Sequence, residues 1–213
     1  RCAGTISRND IEVVFVDNGS TDSTSELIEV LLRPHSNMRS VRVPENQGYG
    51  YGILAGLRSC VSPYLAWTHA DMQTDPADVV RGLELFESTK NPQRLFVKGR
   101  RRGRPFGDVV FTVAMSVFEM LLLRQKFWDI NAQPTIFHRD FFLTWRSPPY
   151  DFSIDLFAYY MAQKERLIIK RFPVYFGERA HGQSHWNISW KSKMKFIHRT
   201  IQFSLELRRN REG

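Results

Sequence analysis

Three polar clusters in the sequence carry residue types that could act together on a phosphorylated ligand. Asp17-Asn18-Gly19-Ser20-Thr21-Asp22 follows the β-branched run IEVVFV at 11–16. His69-Ala70-Asp71-Met72-Gln73 follows the run YLAWT at 64–68, and Gly99-Arg100-Arg101-Arg102 follows LFVK at 95–98. Carboxylate and amide oxygens are hard donors that suit Mg²⁺ or Mn²⁺. Arginines grip phosphate through forked hydrogen bonds. Taken singly, each cluster reads as a turn, a cap or a solvated loop. All three fall at the carboxyl ends of expected strands, the edge at which open α/β sheets bind ligands. A metal–diphosphate ligand fits that edge.

The elements that must position these clusters are readable in outline. Ser23 and Glu26 form a capping box ahead of Leu27, Ile28, Leu31 and Leu32, and Pro34 stops that helix. A short strand is expected at 41–43. Asn46-Gln47-Gly48 turns into a helix through Leu57, and Asp75 with Pro76 opens another that runs to about Ser88. Strand and helix alternate as far as residue 98, which predicts a layered α/β fold with a mainly parallel sheet. After residue 105 the pattern changes to long helices at about 108–124, 152–165 and from 190, with a strand at 167–175.

Composition bounds the rest. The chain has 213 residues, 42% of them hydrophobic and 24% charged, which suits a domain with a normal core and excludes disorder, collagen and coiled coil. Cys2 and Cys60 are too few for a disulfide scaffold and lack zinc-site spacing. Neither has a basic neighbourhood that would make it a nucleophile. No signal-peptide core is visible at the start of the sequence given. The net charge of +8 calls for a polyanionic partner. Residues 190–213 hold seven Lys/Arg against two Glu, and residues 98–104 hold five Lys/Arg and no acid. No RNA- or DNA-binding motif accompanies that charge, so nucleic acid is not the expected partner.

Together, VVFVDNGSTDST, ENQGYGYGILAGL and HADMQTDP, in that order and spacing, resemble family 2 glycosyltransferases of the GT-A fold. The likeness covers roughly residues 11–190 and is strongest to dolichol- and polyprenyl-phosphate sugar synthases. It implies a nucleotide-diphospho-sugar donor, a divalent metal (Mg²⁺ or Mn²⁺) and a lipid phosphate acceptor at an anionic membrane surface. It gives Asp17 the nucleotide base or ribose, with Asn18, Gly19, Asn46, Gly48 and His69 around the same ligand. Asp71 and Gln73 match the metal-holding acid and amide. Arg100 or Arg101 matches an arginine near the phosphates. The segment at 129–134, containing Gln133, followed by Phe137-His138-Arg139, matches the lining of the donor sugar and acceptor phosphate. Asp155 matches an acid facing the sugar, and Arg179 to Ser184 matches a loop that closes over the diphosphate.

The sequence departs from that family at three places. Asn18 stands where a second Asp is usual, and His69 replaces the first Asp of D-A-D. The family's first strand and helix have no counterpart before residue 11, so the sheet is expected to lack its N-terminal strand. The expected organisation is a GT-A domain over 1–189 and a basic amphipathic helix over 190–213. The expected reaction is inverting transfer. A lipid phosphate is ionised at neutral pH and needs no strong base, whereas a saccharide hydroxyl would need one, with Asp155 the candidate. A saccharide hydroxyl acceptor, or a catalytically inactive member, is the alternative.

Two segments bear on the membrane. The apolar stretch 109–123 is too short to span a bilayer and reads as a buried or an interfacial helix. From Trp190, apolar residues recur at Met194, Ile197, Ile201 and Leu205, one helical stripe flanked by Phe196 and Phe203. Lys191, Lys193, Lys195 and Arg199 lie mostly off it, and Arg208, Arg209 and Arg211 follow. Such a helix can lie in an anionic headgroup region or pack on the domain with its basic face in water.

Overall fold

The computed structural model describes residues 8, 10–71, 73–103, 106–177 and 190–212. Strands β1 (Val13–Asn18) and β2 (Met38–Val43) pair in parallel, joined by helix α1 (Thr24–Leu32). Helix α2 (Tyr49–Ser59) packs on both strands and reaches β3 (Tyr64–Trp67). A second sheet has the order β3, β5 (Thr135–His138), β4 (Leu95–Arg102), β6 (Ile168–Tyr175). In it β4 and β6 are parallel, and β5 runs against both β3 and β4. The sheet is thus mixed, with β5 as its reversed member. Among the described residues, β1 and β3 are not hydrogen-bonded to each other.

Helix α3 (Ala77–Glu87) covers one face of this sheet, where Phe86 packs with Leu95, Val97, Ile136 and Phe172. The other face carries the larger core. There α6 (Ile154–Lys164) lays Phe157, Tyr159 and Tyr160 against Phe96 and Phe137. Helix α4 (Phe106–Leu123) and helix α7 (Trp190–Glu212) pack against each other and send Leu123 and Leu207 into that core. A short helix α5 (Arg139–Leu143) follows β5.

Two local expectations are corrected, and the facing of the C-terminal helix is narrowed. Ser23 makes no capping hydrogen bond; Asp22 Oδ1 accepts from the Thr24 backbone N–H at 3.0 Å instead, one residue earlier in the same role. The arginine cluster is not a loop after β4. The strand continues through Arg102 because β6 pairs with it as far as Arg102 opposite Tyr175. The C-terminal helix buries Ser204 and Leu207, whereas Met194 and Leu205 of the expected stripe are exposed.

Candidate active site

The turn after β1 is built on Asp17. Its Oδ1 accepts from the Ser20 backbone N–H at 3.0 Å, and its Oδ2 accepts from the Ser25 hydroxyl. Those bonds from Ser20 and Ser25 hold the buried carboxyl below its usual range. Gly19 has φ +77, and a side chain there would meet the Asn46 backbone nitrogen at 2.4 Å. The β1 turn and the turn before α2 therefore touch backbone to backbone. Asn18 Nδ2 donates across the junction to the Gly48 carbonyl at 3.0 Å, and Asn46 Oδ1 accepts from the Gly48 N–H at 2.9 Å. Asn18 Oδ1 is buried and has no partner. The structure thus brings Asp17, Asn18, Gly19, Asn46 and Gly48 together, as the sequence suggests.

The loop after β3 is closed at its base by Thr68 and Thr74, whose hydroxyls lie 3.1 Å apart. Within it, Asp71 Oδ1 accepts from the Gln73 backbone N–H at 3.1 Å, and Gln73 Nε2 donates to the Gly177 carbonyl at 3.3 Å. Both side chains are half-buried on one turn. Among the described residues no three His, Cys, Asp or Glu side chains form a metal cage. One carboxylate and one amide oxygen nevertheless fit a hard divalent ion that takes its remaining ligands from substrate phosphates and water. Asp71 and Gln73 would hold such an ion, which would supply charge neutralisation on a diphosphate.

A buried network lies next to this loop, and the sequence shows it only in part. The His69 ring stacks on Tyr49 at 5.6 Å, and Tyr49 stacks on Phe152 at 4.7 Å. The Tyr49 hydroxyl donates to Asp155 Oδ2 at 3.4 Å. Gln133 Nε2 donates to Asp155 Oδ1 at 2.8 Å, and Lys98 Nζ stands 3.5 Å from the same oxygen. Lys98 is fully buried and also donates to Thr135 Oγ1 at 2.8 Å. Burial pushes its ammonium down to about 8, with the Asp155 charge opposing that shift. Burial and the Asp155 charge hold the Tyr49 phenol well above its ordinary value, so it stays protonated. The signal for Lys98 was present: a lysine inside the apolar run LFVKG must find a partner if the strand is buried. Tyr49 carried no such signal.

The arginines divide by role. Arg101 donates from its backbone N–H and its guanidinium to Asp129, and it lies over the Phe176 ring at 5.2 Å. Burial pushes the Asp129 carboxyl up, but the charge and hydrogen bonds of Arg101 outweigh that and hold it below its usual range. Arg171 spans the same junction, donating to the carbonyls of Gly99, Trp128 and Asp129. Arg101 is therefore committed to fixing the 129–134 segment, while Arg100 is exposed on the strand beside it. Arg139 is not brought to the site. Because β5 is antiparallel to β3, Thr135 lies opposite Trp67 at the carboxyl end of β3 and His138 opposite Tyr64 at its amino end. The four residues of β5 carry Arg139 roughly 13 Å away, where its N–H donates to the Pro63 carbonyl. Arg179 and Ser184 lie outside the described residues.

Behind Phe152, a cavity of about 60 Å³ separates α4, α6 and α7 and is lined by Ser116, Glu119, Asn131, Ser153 and Thr200. Glu119 is fully buried there. Its Oε2 accepts from the Ser204 hydroxyl at 2.7 Å, and Oε1 has no partner. Burial pushes its carboxyl up to about 7.

Polar turns at the carboxyl ends of β1 and β3, with helices packed on a mixed sheet, fit a GT-A glycosyltransferase architecture. The chain aligns over 92% of its length with glucosyl-3-phosphoglycerate synthase from Mycobacterium tuberculosis, solved with Mn²⁺ and uridine-diphosphate-glucose (TM-score 0.65, 20% identity, 67% of that chain covered). Residues 2–107 match the profile of Glycosyl transferase family 2, and the chain belongs to that family. It is 27% identical over 101 residues to dolichyl-phosphate beta-glucosyltransferase of Dictyostelium discoideum, covering 46% of this chain and 31% of that one. It is 31% identical over 74 residues to undecaprenyl-phosphate 4-deoxy-4-formamido-L-arabinose transferase of Pectobacterium carotovorum, covering 34% of this chain and 23% of that one. The matched stretch thus spans a third or less of either relative.

Proposed function

We propose that this protein transfers a sugar, with inversion, from a nucleotide-diphospho-sugar to a polyprenyl or dolichyl phosphate. The observation that carries the choice of acceptor is the state of Asp155. Both of its oxygens are engaged, by Lys98, Gln133 and Tyr49, and the residue is buried. A carboxylate held this way is poorly placed to take a proton from a hydroxyl. A phosphate acceptor is already ionised at neutral pH, so positioning and charge stabilisation suffice. The names of two relatives, both lipid-phosphate sugar transferases, support the same reading.

On this reading the turn formed by Asp17, Asn18, Gly19, Asn46 and Gly48 receives the nucleotide base or ribose. Asp71 and Gln73 would hold Mg²⁺ or Mn²⁺, which would supply charge neutralisation on the diphosphate, and Arg100, Arg179 and Ser184 would bind phosphate oxygens. The acceptor's lipid anchor sets the reaction at an anionic membrane surface, peripherally and on the cytoplasmic side. The test is a panel of nucleotide sugars with Mg²⁺ or Mn²⁺ and polyprenyl phosphate, with products read by mass. A glycosylated lipid phosphate is the expected product. Transfer to saccharide hydroxyls alone would reassign the acceptor, and no transfer from any donor would mark the chain as inactive.

A further inference from the structure

We propose that Tyr49 and His69 are positioning residues for the metal-holding loop, tying Asp71 to the buried Lys98–Asp155 pair. The proposal rests on the reading of Asp71 and Gln73 as metal ligands. It gives a reason for a lysine inside an apolar run and for a histidine where an acid is usual.

Tyr49 is held by three sets of contacts. It is the first residue of α2, and that turn is seated on the 149–151 segment. The Tyr51 N–H donates to the Tyr150 carbonyl at 3.0 Å. Side chains at Gly48 and Gly50 would meet the carbonyl oxygens of Tyr150 and Pro149 at 2.4 and 2.5 Å. This close approach sets Phe152 on the Tyr49 ring, with centroids 4.7 Å apart and planes 16° apart. The His69 ring also stacks on it, 5.6 Å away with planes 26° apart. The Tyr49 hydroxyl donates to Asp155 Oδ2 and accepts from Gln133 Nε2, each at 3.4 Å.

The floor end of this chain of contacts resists movement. Lys98 and Asp155 are both buried and 3.5 Å apart, and Gln133 adds a 2.8 Å bond to the same carboxylate oxygen. Moving either charge would leave the other unpaired out of water. At the other end, the loop is tied by Thr68 to Thr74 at its base and by Gln73 to Gly177 at its far side. The stack on Tyr49 adds a tie at His69, two residues before Asp71. An acid at 69 would bring negative charge to the negative face of the Tyr49 ring, whereas an imidazole stacks. A metal that binds one arrangement of the loop loses apparent affinity as that arrangement becomes less populated. Holding His69 in place therefore raises metal affinity without making His69 a ligand.

The test is Mn²⁺ titration of the full chain, with free Mn²⁺ read by electron paramagnetic resonance and neither donor nor acceptor present. His69→Ala should weaken Mn²⁺ binding by roughly three- to tenfold, the span set by the loss of one stacked aromatic pair. His69→Phe keeps a ring and offers no nitrogen, and it should bind within about twofold of the parent. Tyr49→Phe drops the hydroxyl alone and should weaken binding by about threefold, the low end for one hydrogen bond. Adding Tyr49→Phe to His69→Ala should change little further, because both break one chain of contacts. Melting temperatures near the parent's will show that the fold is kept. If His69→Phe binds as weakly as His69→Ala, the imidazole nitrogen is the working atom and the proposal is overturned. Parent-like affinity in His69→Ala, or effects of the two changes that simply add, overturns it as well. Should His69→Ala melt early, Tyr49→Phe decides, and parent-like affinity there sinks the proposal. Asp71→Ala separates the two readings. If it abolishes binding while the Tyr49 and His69 variants bind like the parent, only the positioning role is lost. If it binds Mn²⁺ like the parent, the metal reading fails and this proposal falls with it.

Discussion

The turns at the ends of β1, β2 and β3 are each closed by contacts within a few residues, with Asn18 to Gly48 and Gln73 to Gly177 added between loops. Asp17 reaches Ser20 and Ser25, Asn46 reaches Gly48, and Asp71 reaches Gln73. The floor under the proposed acceptor is closed by side chains that meet across long stretches of chain. Gln133 meets Asp155 across 22 residues, Arg101 meets Asp129 across 28, and Ser204 meets Glu119 across 85. Apart from the buried Asp17–Ser25 pair, the first region uses exposed or half-exposed polar turns whose bonds are replaceable by water. The second buries its charges, so removing one partner leaves the other without solvent. The two regions should therefore fail differently: the turns by loss of function in a stable fold, the floor by loss of stability.

The largest expected effect tests the floor. Lys98→Met removes the cation beside a buried Asp155 and should cost about 3–5 kcal/mol of stability, the range for one half of a buried pair. Denaturant unfolding measures it. Adding Asp155→Leu should recover most of the loss, because a hydrophobic pair of similar volume is often neutral. If the single change costs no more than a surface substitution, the floor is not held by this pair and the contrast collapses.

The next effect tests the turns. Asp71→Ala should lower metal-dependent transfer by roughly 10²-fold or more, the size expected when a strong electrostatic contact at the reacting group is lost. The unfolding midpoint should stay within the scatter of the parent, since this half-buried acid accepts from the Gln73 N–H of its own loop, a bond that water can replace. Parent-like activity in Asp71→Ala would remove it from the metal site. A large fall in stability would move it into the class of Asp155.

The same contrast explains what the sequence reveals. Asp17-Asn18-Gly19, Asn46-Gln47-Gly48 and Asp71-Gln73 are recognisable because turn chemistry is local, and each lies just past the carboxyl end of a strand. Lys98 and Asp129 are polar residues whose partners, Asp155, Arg101 and Arg171, sit on elements that only the tertiary fold makes adjacent. Arg139 shows the reverse error. It lies close to Gln133 in the chain, yet strand direction matters more than proximity, and antiparallel β5 carries it to the other edge. The C-terminal helix is legible as a helix but not in its facing. Its burial is decided by where Ser204 and Leu207 meet α4 and the core, not by the most apolar stripe.

The smallest expected effect sharpens the comparison through pH. Glu119 sits in the floor without a cation, and burial raises its carboxyl from 4.5 to about 7. The folded protein therefore keeps a proton there that the unfolded chain has already lost between those two values. More protons bound in the native state means that stability falls as pH rises through that window. Below pH 4.5 this group carries no penalty, and above 7 the full penalty applies, at most about 3 kcal/mol from the size of the shift. Glu119→Gln keeps the shape, can still accept from Ser204, and never ionises. Its melting temperature should match the parent at pH 5 and exceed it at pH 8, and the slope between them should flatten. Asp17 is the control from the turns: hydrogen bonds hold its carboxyl low, so its contribution is present at both pH values and is lost only in acid. Parallel melting curves for parent and Glu119→Gln from pH 5 to 8 would show that Glu119 is charged and stably paired in the fold. The α4–α7 junction would then owe its cohesion to an ion pair rather than to a neutral acid held by Ser204.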